Sequence, residues 1–380
     1  MQEGEAAADW VRSGVVALTG HPDGPPLVPP GRAASIAREL GEMFDVDGAA
    51  LLGERAALTG WARAGRVSVG GGCRLLPLAS GWAAVSCARE DDIALLGALV
   101  EEDLPVADPW PRLSAAVAGM GPDTFDERAT LLGLPAASVR PHRHIEPVVV
   151  TGRPHDVTGR LVVSFGALWA APLCTQLLAG RGARIVTVET QGRPDGARRG
   201  EPRFHALLHT HDRAVQLDPD TDRGALHALV RAADVIVEAS RPRALRSWGL
   251  DAEAEVARGA TWISVTAAGR SSNRVGFGDD VAASAGLVAP DADGLPVFVG
   301  DAIADPLTGL TAAALAVTAP GRLHDISMSD VAAATLDGSP GGPVAGPVAP
   351  PRARPVPGPA PAPGADTAAV MTELGLPWPC

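Results

Sequence analysis

Asp305 stands in the segment VGDAIADPLTGLTAAALAV, followed by Pro306 and an Ala-rich apolar run. Aspartate caps helix N-termini and proline is tolerated in their first turn, so the segment predicts a helix that begins here, with Asp305 as its cap. The same place suits a nucleophile. The helix dipole keeps a carboxylate ionised, and a nearby backbone N–H can hold a developing oxyanion. The residues alone leave both roles open. All 32 basic residues are arginine, so no lysine serves a Schiff base or a Walker-type phosphate contact. Phosphate recognition then falls to the forked bonds of Arg. Arg213, Arg241, Arg243 and Arg246 flank predicted strands, where the ligands of α/β sheets collect. The histidines of HALLHTH (His205, His209, His211) and HRH (His142, His144) invite a metal. With no paired Cys among Cys73, Cys87, Cys174 and Cys380 and no H-E-x-x-H, we expect none.

The elements that must position these residues fall into two patterns. Strand-like runs at 161–165, 183–189, 234–240 and 261–267 alternate with helical stretches such as APLCTQLLAGRG and TDRGALHALVRAA. That alternation predicts an α/β fold, a Rossmann-like parallel sheet over 146–337. Its first strand-to-helix turn, SFGALWAAP, lacks G-x-G-x-x-G, so the ordinary dinucleotide fingerprint is absent. Residues 1–145 differ, with helical stretches at 31–43 and 91–101, the run Gly70, Gly71, Gly72, and a strand pair around CRLLPLASGWAAVS. They predict a smaller α+β domain. A Pro/Gly-rich linker or surface strap occupies 338–365, and a docking helix with Val370, Met371 and Leu374 on its apolar face falls within 366–380. Residues 13–35 also align with 285–305, as the remnant of a first catalytic segment in which Ser35 stands opposite Asp305.

Length and charge bound the function. A chain of 380 residues with a formal charge of −12 does not neutralise nucleic-acid phosphates or an anionic membrane as its main work. No apolar run approaches the ~18 residues of a membrane span, and the acidic start MQEGEAAADW is unlike a signal peptide, so we expect a soluble, cytoplasmic protein.

Several blocks, taken in order, resemble the family III CoA transferases. This CaiB/BaiF group contains formyl-CoA, carnitine-CoA and bile-acid-CoA transferases and α-methylacyl-CoA racemase. The blocks are LVVSFGALWAAPLCTQLLAGRGARIVTVET (161–190), HDRAVQLDP (211–219), ADVIVEASRPRALRSWGL (233–250), ISVTAAG (263–269), DAIADPLTGLTAAALAV and GRLHDISMSD (321–330). The glycine run, LASGWAAVSCAREDD and ERATLLGLPAASV resemble the family's small domain, here placed before the nucleotide-binding half as in a permuted or trimmed fusion.

The resemblance implies that Asp305 attacks an acyl-CoA thioester. It further implies that Leu168, Trp169, Ala170, Glu189, the four arginines and Gly269 contact CoA, and that Gly70, Gly71 and Gly72 close over the site. No permanent cofactor is implied, CoA and acyl-CoA being substrates. The partners implied are acyl-CoA, an acceptor carboxylic acid and a second subunit, in a homodimer or a heteromer with a paralogue. Trp169 stands where formyl-CoA transferase-like members carry glutamine, and Phe277 where the racemases carry histidine, with Asp279 and Asp280 following. Racemisation needs a base on each face of the α-carbon, so transfer is favoured over racemisation. A non-catalytic CoA-binding subunit and an unrelated α/β binding protein that does not retain CoA are the remaining alternatives.

Overall fold

A computed structural model describes residues 2–141, 145, 150, 152–192, 194–240, 242–344, 346–376 and 378. The chain begins with α1 (Gln2–Ser13), the two-residue strand β1 (Leu27–Val28), α2 (Ala33–Gly41), α3 (Gly48–Leu51) and α4 (Glu54–Thr59). Strands β2 (Cys73–Pro77) and β3 (Trp82–Ser86) follow, then α5 (Asp92–Val100), α6 (Trp110–Val117), α7 (Pro122–Leu132) and β4 (Ala136–Ser138). β2, β3 and β4 form an antiparallel sheet whose alternating side chains face two ways. Leu76, Ala83 and Val85 meet α5 to α7 on one face, while Cys73, Leu75 and Ala84 meet Ala283 and Phe298 of the large domain on the other.

The second half builds β5 (Leu161–Phe165), α8 (Ala170–Gly180), β6 (Arg184–Glu189), α9 (Pro202–His209), β7 (Asp212–Gln216), α10 (Arg223–Ala232), β8 (Val235–Glu238), α11 (Pro242–Ser247), α12 (Ala252–Ala257) and β9 (Thr261–Thr266). Then come α13 (Gly278–Ser284), the hairpin β10 (Val288–Pro290) and β11 (Pro296–Phe298), α14 (Ala304–Thr318), β12 (Leu323–Ser327), α15 (Met328–Ala333), β13 (Gly342–Pro343) and α16 (Thr367–Glu373). Six strands pair in parallel in the order β12-β9-β8-β5-β6-β7. Counted from β5, this is the 3-2-1-4-5-6 arrangement of doubly wound sheets, with the order reversing between β5 and β8. The expected parallel α/β sheet is therefore present. Val162, Val237 and Ile263 face α8 and α14, while Leu161, Val163 and Ile236 face α10, α12 and α16.

The cores do not follow the expected boundary at residue 145. Trp10, Val15, Ala33, Ala37, Leu51 and Leu52 are buried in the same core as α8 and α14. The helices α1 to α3 are thus an added layer on the large domain, and only the segment around β2 to β4 keeps a core of its own.

The Pro/Gly-rich stretch after β13 is pinned along the surface. Pro351 packs on Gly14, where a Cβ would come within 2.7 Å of its Cα. Arg354 makes paired bonds of 2.8 and 2.7 Å to the buried Glu54, and Thr210 donates to the Gly358 carbonyl at 2.8 Å. α16 then lies along the free edge of β7, where Asp366 accepts the Ala214 N–H and Thr367 the Gln216 N–H. Val370 and Met371 are buried beneath it.

Candidate active site

The reversal between β5 and β8 leaves a crevice at their carboxyl ends, where α/β sheets bind ligands. A cleft of about 1090 Å³ opens there, walled by Ala167, Leu168 and Trp169 after β5 and by Ala239 and Ser240 after β8. The small domain closes the opposite side with Ser68, Gly70, Gly72 and Cys73. Asp305, Asp279, Phe277 and Gly278 line it as well.

Asp305 is the second residue of α14, and the helix is capped at Ile303 without a side-chain bond. This corrects the expectation that Asp305 is the cap. Its carboxylate turns into the cleft instead, close against α13. A Cβ on Gly278 would lie 2.2 Å from Asp305 Oδ2 and 2.3 Å from the Ala302 carbonyl, so no side chain fits there. Gly309, one turn further along α14, lets that helix cross α8 closely, since a Cβ would meet the Ala170 carbonyl at 2.6 Å. Ala302 and Leu168 hold left-handed backbones at φ 43° and 69°, strained for residues with a Cβ, and both line the cleft.

Three carboxylates share one cation here. Arg55 of α4 pairs with the fully buried Asp301 and lies over the rings of Trp169 and Trp61 at 5.0 and 5.3 Å. Burial works against the guanidinium charge, but Asp301, Asp279 and Asp305 together raise its pKa above the usual value. Burial pushes Asp305 up to about 7; Arg55 and the Ala170 amide pull against this, while Asp279 and Asp301 add to it. Asp279 rises to about 6 through burial and repulsion from Asp301, opposed by Arg55 and by the Ala302 N–H that it accepts at 2.8 Å. Asp280 is buried and lies outside the cleft lining, where it accepts the Ser86 hydroxyl at 2.7 Å and the Phe277 N–H at 2.8 Å. It ties the small sheet to α13.

Of the residues expected to contact CoA, Leu168, Trp169 and Arg243 line the cleft with Asp305, and so do Gly70 and Gly72 of the glycine run but not Gly71. Ala170 faces Asp305 through its amide. The others are elsewhere. Glu189 is buried and grips Arg198 at 2.5 Å. Arg213 pairs with Glu373 on α16, and Arg246 lies 3.6 Å from Glu253. Gly269 sits beside the Asp325 carboxylate. Arg241, His142 and His144 lie outside the described residues. Ser35 is on α2 next to Asp9, away from the cleft. The cations that do line the cleft include Arg55, Arg89 and Arg199, none of which the sequence singled out. Arg89 had a signal, since it closely follows the end of β3; Arg55 had none, its partner Asp301 being 246 residues away.

Residues 157–351, just over half of the chain, match CoA-transferase family III. The chain is 31% identical over 176 residues to a succinyl-CoA–D-citramalate CoA-transferase from Chloroflexus aurantiacus, covering 42% of this chain and 43% of that protein. It is 30% identical over 206 residues to a formyl-CoA:oxalate CoA-transferase from Rhodopseudomonas palustris, covering 47% and 46%. A solved CaiB/BaiF family protein from Brucella suis is 25% identical, with a TM-score of 0.43, over 48% of this chain and 56% of that one. The chain thus matches less than half the length of these two transferases. No helix among the described residues is long and apolar enough to cross a membrane. With β5, β8 and Asp305 all inside the matched segment, the chain belongs to CoA-transferase family III.

Proposed function

We propose that this protein moves CoA from an acyl-CoA thioester to a carboxylic acid, with Asp305 as the covalent carrier. The carrying observation is the Asp305 carboxylate turned into the cleft at the sheet's reversal point, beside Arg55 and against a residue that must be glycine. The Asp305 carboxylate attacks the thioester carbonyl, forming an acyl-aspartyl anhydride and expelling CoA thiolate. The thiolate attacks the aspartyl carbonyl, releasing the donor carboxylate and leaving aspartyl-CoA. The acceptor carboxylate displaces the thiolate to form a second anhydride, and the thiolate then takes the acceptor acyl group and frees Asp305. Arg199 and Arg243 supply cations for the CoA phosphates. Gly70 and Gly72, with Gly70 against Trp61, shield the anhydride from water.

Mass spectrometry of the protein mixed with acyl-CoAs is expected to find an acyl or CoA adduct on the peptide that carries Asp305. Asp305→Asn is expected to lose both adduct and transfer while its melting temperature barely moves, because no capping bond is removed. Wild-type transfer by Asp305→Asn would overturn the mechanism. The oligomer implied by the family resemblance is part of the same proposal, and light scattering at working concentration tests it.

A second reading, racemisation of an acyl-CoA, is favoured by one observation: Asp279 shares the cleft with Asp305 and has its pKa raised to about 6. In D₂O a transferase leaves the α-proton of a chiral 2-methylacyl-CoA unexchanged; Asp279-dependent deuterium wash-in would establish the racemase instead.

A further inference from the structure

Beside the cleft, three buried side-chain atoms without hydrogen-bond partners converge: Asp195 Oδ2, His205 Nε2 and His209 Nε2. One ligand atom from each of the three residues lies within 4.8 Å of the other two, and the residues are 4%, 6% and 5% exposed. His205 and His209 are one turn apart on α9, with rings stacked at 4.5 Å, in the H-x₃-H spacing common among zinc ligands. Several polar atoms around them are engaged, although Asp212 Oδ1 is also buried without a partner. Asp195 Oδ1 accepts the N–H groups of Leu168 and Ala197, each at 2.9 Å. His209 Nδ1 is 2.7 Å from Asp212 Oδ2, which also accepts the Thr187 hydroxyl at 2.6 Å. A carboxylate behind a histidine in this way fixes ring and tautomer for a metal at the other nitrogen. The nearby Arg198 is committed to Glu189.

We propose that Asp195, His205 and His209 hold a divalent transition-metal ion of the zinc class, with water completing four ligands. The separation of His209 Nε2 from Asp195 Oδ2 is 3.5 Å. That is long for a hydrogen bond, but it suits the edge of about 3.4 Å between two ligands held ~2.1 Å from a tetrahedral ion. An ion pair of His209 with its two aspartates would satisfy His209 and still leave His205 Nε2 buried without a partner. A metal accounts for all three atoms. The sequence shows neither a cysteine pair nor H-E-x-x-H, on which no metal is expected; the third ligand is Asp195, upstream and across a turn.

The ion would act as a structural pin on the cleft wall. Gly196 and Arg199, in the same segment as Asp195, line the cleft, as does Leu168, whose amide Asp195 holds. Losing the metal should therefore raise KM for acyl-CoA more than it lowers kcat. A decisive experiment measures metal content of the full-length protein, stripped with chelator and reloaded with ZnCl₂, beside His205→Phe, which keeps a ring against His209 but cannot ligate. The expected result is about one zinc per chain retained by wild type, a rise in melting temperature on reloading, and neither in His205→Phe. Cobalt(II) in the same site should give the visible bands of a low-coordinate ion. Wild type that retains no zinc, or His205→Phe that retains as much as wild type, overturns the proposal. Because the readout is metal content and melting, it stands or falls independently of CoA transfer.

Discussion

In the proposed reaction the chemistry of Asp305 turns on Arg55, the cation set against Asp305, Asp279 and Asp301. Attack requires the ionised carboxylate, and a pKa raised to about 7 means that activity should climb as pH rises through 7 and be largely lost below 6. In Arg55→Gln the cation that pulls this pKa down is gone, so the midpoint of the pH–rate profile should move upward. The same change leaves Asp301 buried and unpaired, which should cost about 3–5 kcal/mol of stability. Adding Asp301→Asn should recover much of that stability and, by removing a charge that repels the ionised Asp305, bring the midpoint part of the way back down; chemical denaturation beside a pH series separates the two effects. Asp305 was legible in sequence because an aspartate and a proline before an apolar run mark a helix start. Its orientation was not, since whether it caps or faces the cleft depends on α13 and Gly278. Arg55 was illegible because nothing local to α4 announces a partner near residue 300.

At the scale of elements, the crossing of α14 over α8 sets where Asp305 points. Gly309→Ala would place a methyl 2.6 Å from the Ala170 carbonyl, so α14 must move away, carrying Asp305 with it. We expect a loss of ~1–3 kcal/mol by denaturant titration, with kcat falling more than KM changes. The four central strands were readable because both their faces are covered, and they appear as continuous apolar runs. The two edge strands, DRAVQ and LHDIS, were not recognised as strands. Edge positions tolerate charge and half-exposure, and their short mixed patterns are those of a loop.

For the whole molecule, the strap and α16 are what keep one sheet edge from meeting another chain. Removing 366–380 uncovers the backbone of β7 and the sites of Val370 and Met371. A truncated protein is expected to lose several kcal/mol, at ~1.5–3 kcal/mol for each large apolar side chain, and to aggregate with rising concentration in light scattering. A different consequence concerns time rather than stability. Glu54 finds Arg354 300 residues later, and α1 and α2 share their core with α14. At ~5–20 residues per second, translation of that interval takes about 15–60 s. Throughout it the apolar faces of the first helices are made before what will cover them. In this order those faces wait for the later segments during synthesis, a wait that the same parts joined in the reverse order would not impose.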